Sequence, residues 1–297
     1  MNILVAGGSG FIGTALVAGL RADGHRVRSL TRRREAAGPD APFWNPDAGE
    51  LDRAAFRDVD AVINLSGSTI ATRWTPAKKQ EIRESRLRCT RLLAETIASL
   101  ESRPGVFISM SATGYYGDRG DERVTETATA GRDFLADVCV AWEAAAEPAV
   151  RAGVRVVHPR MGLVLSPGGG VLKQVLPPFR AGIGGPLGSG KQWWSWIVLH
   201  DVVAAFRHVL MADAVRGPVN FAAPGAVPNA AFAKTLGLVL GRPSAMPVPA
   251  VALKLLFGEA AEGAILTGVR VIPEVLEKTG FRFAHPELEP ALRHLLT

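Results

Sequence analysis

Gly7-Gly8-Ser9-Gly10-Phe11-Ile12-Gly13 follows Asn2-Ile3-Leu4-Val5-Ala6 at the start of a 297-residue chain. The apolar run Ile3–Ala6 reads as a buried strand. After Phe11, apolar residues recur at helical spacing, so the glycines occupy a strand-to-helix turn. Two glycine spacings coincide there, Gly8-x-Gly10-x-x-Gly13 and Gly7-x-x-Gly10-x-x-Gly13. In this context the first is a dinucleotide fingerprint. The tight turn needs a positive φ, which glycine tolerates. A pyrophosphate needs bare backbone N–H groups at a helix N-terminus. Gly7, Gly10, Phe11, Ile12 and Gly13 are therefore the expected cradle.

The pattern continues outward. Strands are expected at Asn2–Ala6, Arg26–Thr31, Ala61–Leu65, Val106–Met110 and Arg155–His158. Helices are expected at Phe11–Asp23, Pro76–Leu100 and Phe134–Ala152. Short strands separated by long helices pair in parallel through right-handed crossovers. The expected fold is α/β: a doubly wound parallel Rossmann sheet with a small, mainly helical C-terminal lobe. Residues 1–165 form the nucleotide-binding domain in this reading. A helix at His200–Met211 and a strand at Pro218–Ala222 complete it within 198–223. Residues 166–197 and 224–297 form the lobe, over the carboxyl ends of the strands where such sheets bind ligands.

Composition narrows the function class. At 47% hydrophobic residues the chain can bury a large core. The formal charge of +6 comes from scattered arginines rather than one basic run, which argues against nucleic acid. Cys89 and Cys139 have no CxxC spacing, so neither a disulfide framework nor a metal site is expected. Apolar runs fall short of the ~18 residues of a membrane span. Met1 leads almost directly into the first strand, so no leader is expected. The expected setting is the reducing cytoplasm, and the expected partner is a small molecule.

Leu30-Thr31-Arg32-Arg33-Arg34 closes the second strand. An NAD enzyme usually presents an acid there to the ribose 2′-hydroxyl. Here guanidinium groups stand instead, suited to a 2′-phosphate through charge-assisted hydrogen bonds. NADP(H) is the expected cofactor.

Several further stretches carry a resemblance. These are Asn64-Leu65-Ser66-Gly67, Ser109 to Gly117, Arg73-Trp74 with Glu81 and Arg86, Trp142 to Ala145, Arg160 to Leu165, and Leu187 to Gly190. Together they resemble the atypical, extended short-chain dehydrogenases/reductases: epimerase-family oxidoreductases with a helical C-terminal extension. The resemblance runs from Met1 to about Leu296. It implies NADP(H) contacts at Thr31, Arg32, Leu65, Ser66, Gly67, Glu81, Arg86 and Val164, with the nicotinamide near Ser111 and Arg160. The implied activity is oxidoreductase or epimerase chemistry on a small hydroxyl or carbonyl compound. A non-catalytic NADP(H) sensor is the alternative.

The catalytic pair of that family is missing. Its members use Tyr-x-x-x-Lys, where lysine lowers the pKa of a proton-transferring tyrosine. This chain has two tyrosines, Tyr115 and Tyr116, and neither has Lys four residues later. Counted back from Glu143, the family's Tyr and Lys positions fall on Leu135 and Cys139. The remaining candidates are Ser111, Thr113, Tyr116 and His200. Related sequences place a histidine where Val198 stands; His200 lies two residues on, on the same side of an extended segment. Asp201 is expected to cap the following helix. Trp193, Trp194 and Trp196 are expected to wall a pocket or pack the core.

Overall fold

Strand β1 (Asn2–Ala6) alternates its side chains between two apolar layers, which is why its residues form one continuous hydrophobic run. Ile3 and Val5 face helix α1 (Phe11–Ala22) through Leu16, Val17 and Leu20. Leu4 and Ala6 face helix α2 (Pro76–Ala98) through Cys89, Leu93 and Ile97. The other long strands are β2 (Arg26–Leu30), β3 (Ala61–Asn64), β4 (Val106–Ser109), β5 (Arg155–Met161) and β6 (Gly217–Phe221). All pair in parallel, in the order β6-β5-β4-β3-β1-β2. Ser111–Ala112 pairs with β5 as a short seventh strand. The sheet is thus Rossmann-like and doubly wound. The computed structural model describes residues 1–296.

Beyond β2, residues 40–44 run alongside it. Thr31 pairs with Phe43, and the Ser29 N–H donates to the Asp40 carbonyl. This irregular edge occupies the outer place in the sheet.

The predicted helix over Phe134–Ala152 is two helices, α3 (Phe134–Ala144) and a short one at Glu147–Arg151. Pro148 explains the break: it has no N–H to donate, and its ring clashes with the preceding turn. Helix α4 (Leu199–Met211) completes the α1 layer with Val203, Phe206 and Val209.

A separate apolar cluster lies beyond the sheet. It joins Leu172 and Leu176 to Trp194, Trp196 and Phe232, and to Leu288 and Leu292 of the C-terminal helix. The tail is not purely helical: Arg270–Val271 pairs in parallel with Arg123–Val124. Nor does it stay apart from the main core, because Leu276 is fully buried there beside Val275 and Phe281.

Candidate functional site

The glycine loop links β1 to α1 with Gly7 at φ +80°, the left-handed region. A Cβ on Gly7 would stand 2.9 Å from the Leu65 carbonyl carbon, so this loop and the end of β3 touch backbone to backbone. A Cβ on Gly13 would overlap the Gly7 carbonyl. Gly10 differs. A Cβ there would meet only the Gly7 oxygen, at 3.3 Å, leaving its other side open. Helix α1 has no side-chain cap and no acid in its first turn, so its N-terminus is free for an anion.

Around this cradle, Ser66 Oγ is buried without a hydrogen-bond partner, facing the Cys89 thiol. Arg86 is half-buried. Its guanidinium donates to the Ile82 carbonyl at 2.9 Å, lies over the Trp142 ring and has no carboxylate partner among the described residues. Burial lowers its pKa. Glu81 is exposed; its hydrogen bond to Lys78 lowers its pKa, and Ser68 lies beside it. Of the three arginines after β2, Arg34 is committed to Glu50 and stacked on Phe43. Arg32 and Arg33 are exposed and form no ion pair among the described residues. Val164 turns its side chain into the main core, so only its backbone is left to meet a ligand.

A cleft of about 220 Å³ opens at the carboxyl ends of β4 and β5. Thr113, Met161, Leu163, Trp193, Trp194 and Arg86 line it. So do Leu135 and Cys139, the two positions where the family's Tyr and Lys fall. Burial pushes the Cys139 thiol up to about 12, so it keeps its proton. The outer wall is a strap that includes Gly263, Ala264, Thr267, Gly268 and Val269. A larger hollow, about 870 Å³, lies at the amino ends of β1 and β2. Arg26, Arg28 and Arg57 line it together with Glu50, Asp52 and Asp58, and it lies at the opposite end of β1 from the glycine loop.

Of the four candidate catalytic residues, the cleft admits one. Thr113 lines it, its hydroxyl donating to the Met161 carbonyl at 3.3 Å. Ser111 is buried and donates to Glu143 Oε1 at 2.6 Å. Tyr116 is fully buried, its hydroxyl donating to Asn220 Oδ1 at 2.6 Å, and burial pushes its pKa up to about 12. Arg160, expected beside the nicotinamide, is spent on a bidentate pair with Glu143 at 2.9 Å and on the Tyr116 hydroxyl at 3.0 Å. It offers nothing to a ligand.

His200 lies outside the cleft lining, exposed beside Asp201 with Nδ1–Oδ1 at 3.4 Å. The extended segment ends at Val198 and a helix begins at Leu199. The helical turn therefore rotates His200 away from the side that Val198 faces. Asp201 does not cap its own helix. Its two carboxylate oxygens accept the N–H groups of Ala284 and His285, each at 3.0 Å, and so tie down the C-terminal segment. Trp193 and Trp194 line the cleft, whereas Trp196 packs the lobe core.

Sequence reading missed the strap and the partners Glu126 and Asn220. Glycine spacing was the available signal for the strap: a Cβ on Gly263 would press on Trp74 at 2.6 Å, and one on Gly268 would overlap the Trp193 carbonyl.

Residues 3–222 match the model of the NAD dependent epimerase/dehydratase family. The chain belongs to this family. Residues 248–295 match a domain of unknown function, DUF1731, which includes the strap of this epimerase-family chain. It is 44% identical over 296 residues to the epimerase family protein Mb2239 of Mycobacterium bovis, covering 99% of this chain and 97% of that one. The crystal structure of human epimerase family protein SDR39U1 (isoform 2) with NADPH superposes with a TM-score of 0.90, at 36% identity, covering 99% of each chain. A nucleoside-diphosphate sugar epimerase structure from Corynebacterium glutamicum gives a TM-score of 0.83 at 33% identity. It covers all of this chain and 58% of that one.

Proposed function

We propose that this epimerase-family chain binds NADP(H) and acts as an oxidoreductase on a small hydroxyl or carbonyl compound. The observation that carries the cofactor is Gly10. Its open side faces the uncapped N-terminus of α1, where a pyrophosphate gains backbone donors and the helix dipole. The NADPH in the human relative supports the same choice. In this reading the backbone of Gly7, Gly10, Phe11, Ile12 and Gly13 holds the pyrophosphate. Thr31 and Arg32 meet the 2′-phosphate. Leu65, Ser66, Gly67, Glu81 and Arg86 line the remainder, and the orphaned Ser66 hydroxyl gains a partner. When bound, the nicotinamide would supply or accept a hydride, and Thr113 lines the cleft where the substrate oxygen would lie.

A second reading, an NADP(H) sensor without turnover, is favoured by Leu135 and Cys139 standing where the family's acid pair falls. Both readings divide the chain as 1–165 with 198–223 for the dinucleotide, and 166–197 with 224–297 for the lobe. Both place it in a reducing compartment such as the cytoplasm, in keeping with two unpaired cysteines. No helix among the described residues is long and apolar enough to cross a membrane.

Calorimetry with NADPH and NADH tests the cofactor. A charge-assisted hydrogen bond contributes roughly 1.5–3 kcal/mol. Arg32→Ala should therefore weaken NADPH binding about 10- to 100-fold and leave NADH nearly unchanged. Equal affinities for the two cofactors in the starting protein overturn the NADP(H) assignment.

A further inference from the structure

The cleft also constrains the substrate. At about 220 Å³ it is smaller than the ~300–1,000 Å³ of most ligand pockets. Leu135, Val138, Met161, Leu163, Trp193 and Trp194 make its walls apolar and partly aromatic. Arg86 and Asp133 are the charged groups lining it among the described residues. Asp133 is committed to capping α3, accepting the Ala136 N–H at 2.9 Å. Arg86 stands toward the cofactor loop, where a Cβ on Gly67 would lie 3.2 Å from its Cζ. A nucleotide sugar would bring a diphosphate against apolar walls that, among the described residues, Arg86 alone lines with a cation, and burying unpaired charge is costly.

Proton supply narrows the class further. A simple ketone that accepts hydride becomes an alkoxide and needs a proton as it forms; a positioned acid there contributes ~10²–10⁴-fold. Here Leu135 replaces the acid. Tyr116 and Ser111 are sequestered, and the Thr113 proton is directed at a backbone carbonyl. Burial pushes the Cys139 thiol up to about 12, above an ordinary tyrosine, so it is a poor proton donor. A quinone does not need that acid. Hydride delivered to one carbonyl oxygen forms an O–H bond and makes the ring aromatic; the charge is left on the other oxygen as a phenolate, a weak base whose conjugate acid has a pKa of about 10.

We infer that the substrate is a small, flat, uncharged quinone-type carbonyl compound lying against the tryptophan wall. This rests on the reading of the chain as an NADP(H)-dependent oxidoreductase. In the balanced step the quinone gains two electrons and one proton as hydride, and the reduced dinucleotide is oxidised to its cationic form. The resulting phenolate then takes its second proton from solvent, giving the hydroquinone.

The probe is tetramethyl-1,4-benzoquinone, whose blocked ring positions resist thiol addition. UDP-glucose and cyclohexanone serve as contrasts. NADPH binding to the full chain is measured first by calorimetry, then quinone binding to the NADP⁺-saturated protein, then NADPH oxidation. The quinone should bind and should bind at least about tenfold more weakly in Trp193→Ala, while UDP-glucose should give no heat. Oxidation should run at least about 100-fold faster with the quinone than with cyclohexanone, with a solvent deuterium isotope effect of about 1. Binding of UDP-glucose, or quinone binding insensitive to Trp193→Ala, overturns the inference. So does quinone binding without oxidation, equal rates with cyclohexanone, or an isotope effect of about 2 or more, which reveals a proton in flight. NADPH binding without quinone binding overturns the substrate class alone. Absence of NADPH binding overturns the underlying cofactor reading.

Discussion

Gly10 and Gly13 are alike in the sequence and unlike in the fold. Gly13 is a packing glycine, because any side chain would collide with the Gly7 carbonyl and with Gly8. Gly10 has one tight neighbour, the Gly7 oxygen 3.3 Å from where a Cβ would stand, and is otherwise open, at a φ of −76° that every residue adopts. Gly10→Val should therefore keep the circular dichroism and melting temperature of the parent while losing the melting-temperature rise that NADPH gives. Gly13→Val should lower the melting temperature without any ligand. A thermal-shift assay on both variants decides, and an NADPH-dependent rise in Gly10→Val would move the pyrophosphate elsewhere. The spacing showed which residues must be glycine; it could not distinguish an occupied position from a crowded one. The hydroxyls teach the same lesson. Ser111 and Tyr116 sit beside a strand end in sequence, yet both point into a buried network around Arg160.

At the scale of elements, that network joins α3 to β5. Arg160 is 3% exposed and Glu143 is its bidentate partner. Removing one member of a buried pair leaves an uncompensated charge, at a cost of about 3–5 kcal/mol. Glu143→Ala should lower unfolding stability by that amount in urea titrations. A loss of less than about 1 kcal/mol, the range of exposed pairs, would show that the pair contributes like a surface one. The strap makes a second prediction. Gly268 lies so close to Trp193 that a methyl group there must push the two segments apart, with overpacking costing about 1–3 kcal/mol. Trp193 is otherwise held by Asp121, through its Nε1 at 2.7 Å, and by Arg270, 4.4 Å from its ring centroid. Gly268→Ala should therefore shift the tryptophan fluorescence and destabilise the chain. An unchanged emission spectrum would separate the strap from the cleft wall.

At the scale of the whole molecule, Glu126 joins the last sheet strand to the tail. Its Oε1 accepts the Asn220 N–H at 3.0 Å and the Val275 N–H at 3.1 Å, while its Oε2 is buried without a partner. Burial raises its pKa, against the lowering effect of those N–H groups. A carboxyl whose folded pKa is raised binds its proton more tightly when folded. Its stabilising contribution is complete below the unfolded value, about 4.3, and is lost as pH climbs through the folded value. Glu126→Gln keeps the two accepted bonds and cannot ionise. Melting temperatures measured from pH 4 to 8 should show the variant gaining on the parent as pH rises. A constant difference across that range would mean that the Glu126 pKa is the same in the folded and unfolded chain, against the rise that burial gives it.

The sequence by itself determined the Rossmann layering and the cofactor class. Both rest on local signals: runs buried on both faces, a glycine turn between strand and helix, and arginines where an acid would select NAD. Counting from a neighbouring motif also pointed to Leu135 and Cys139, and both line the cleft. Only the tertiary structure decided which side chains remain available for chemistry. Arg160 and Ser111 are consumed by Glu143, a residue from a different element, and Asp201 serves a segment more than eighty positions away. His200 is turned from the cleft by a helix that starts one residue before it. Whether a polar group is spent or free depends on its partners across space, and those partners are set by packing between elements distant in the chain.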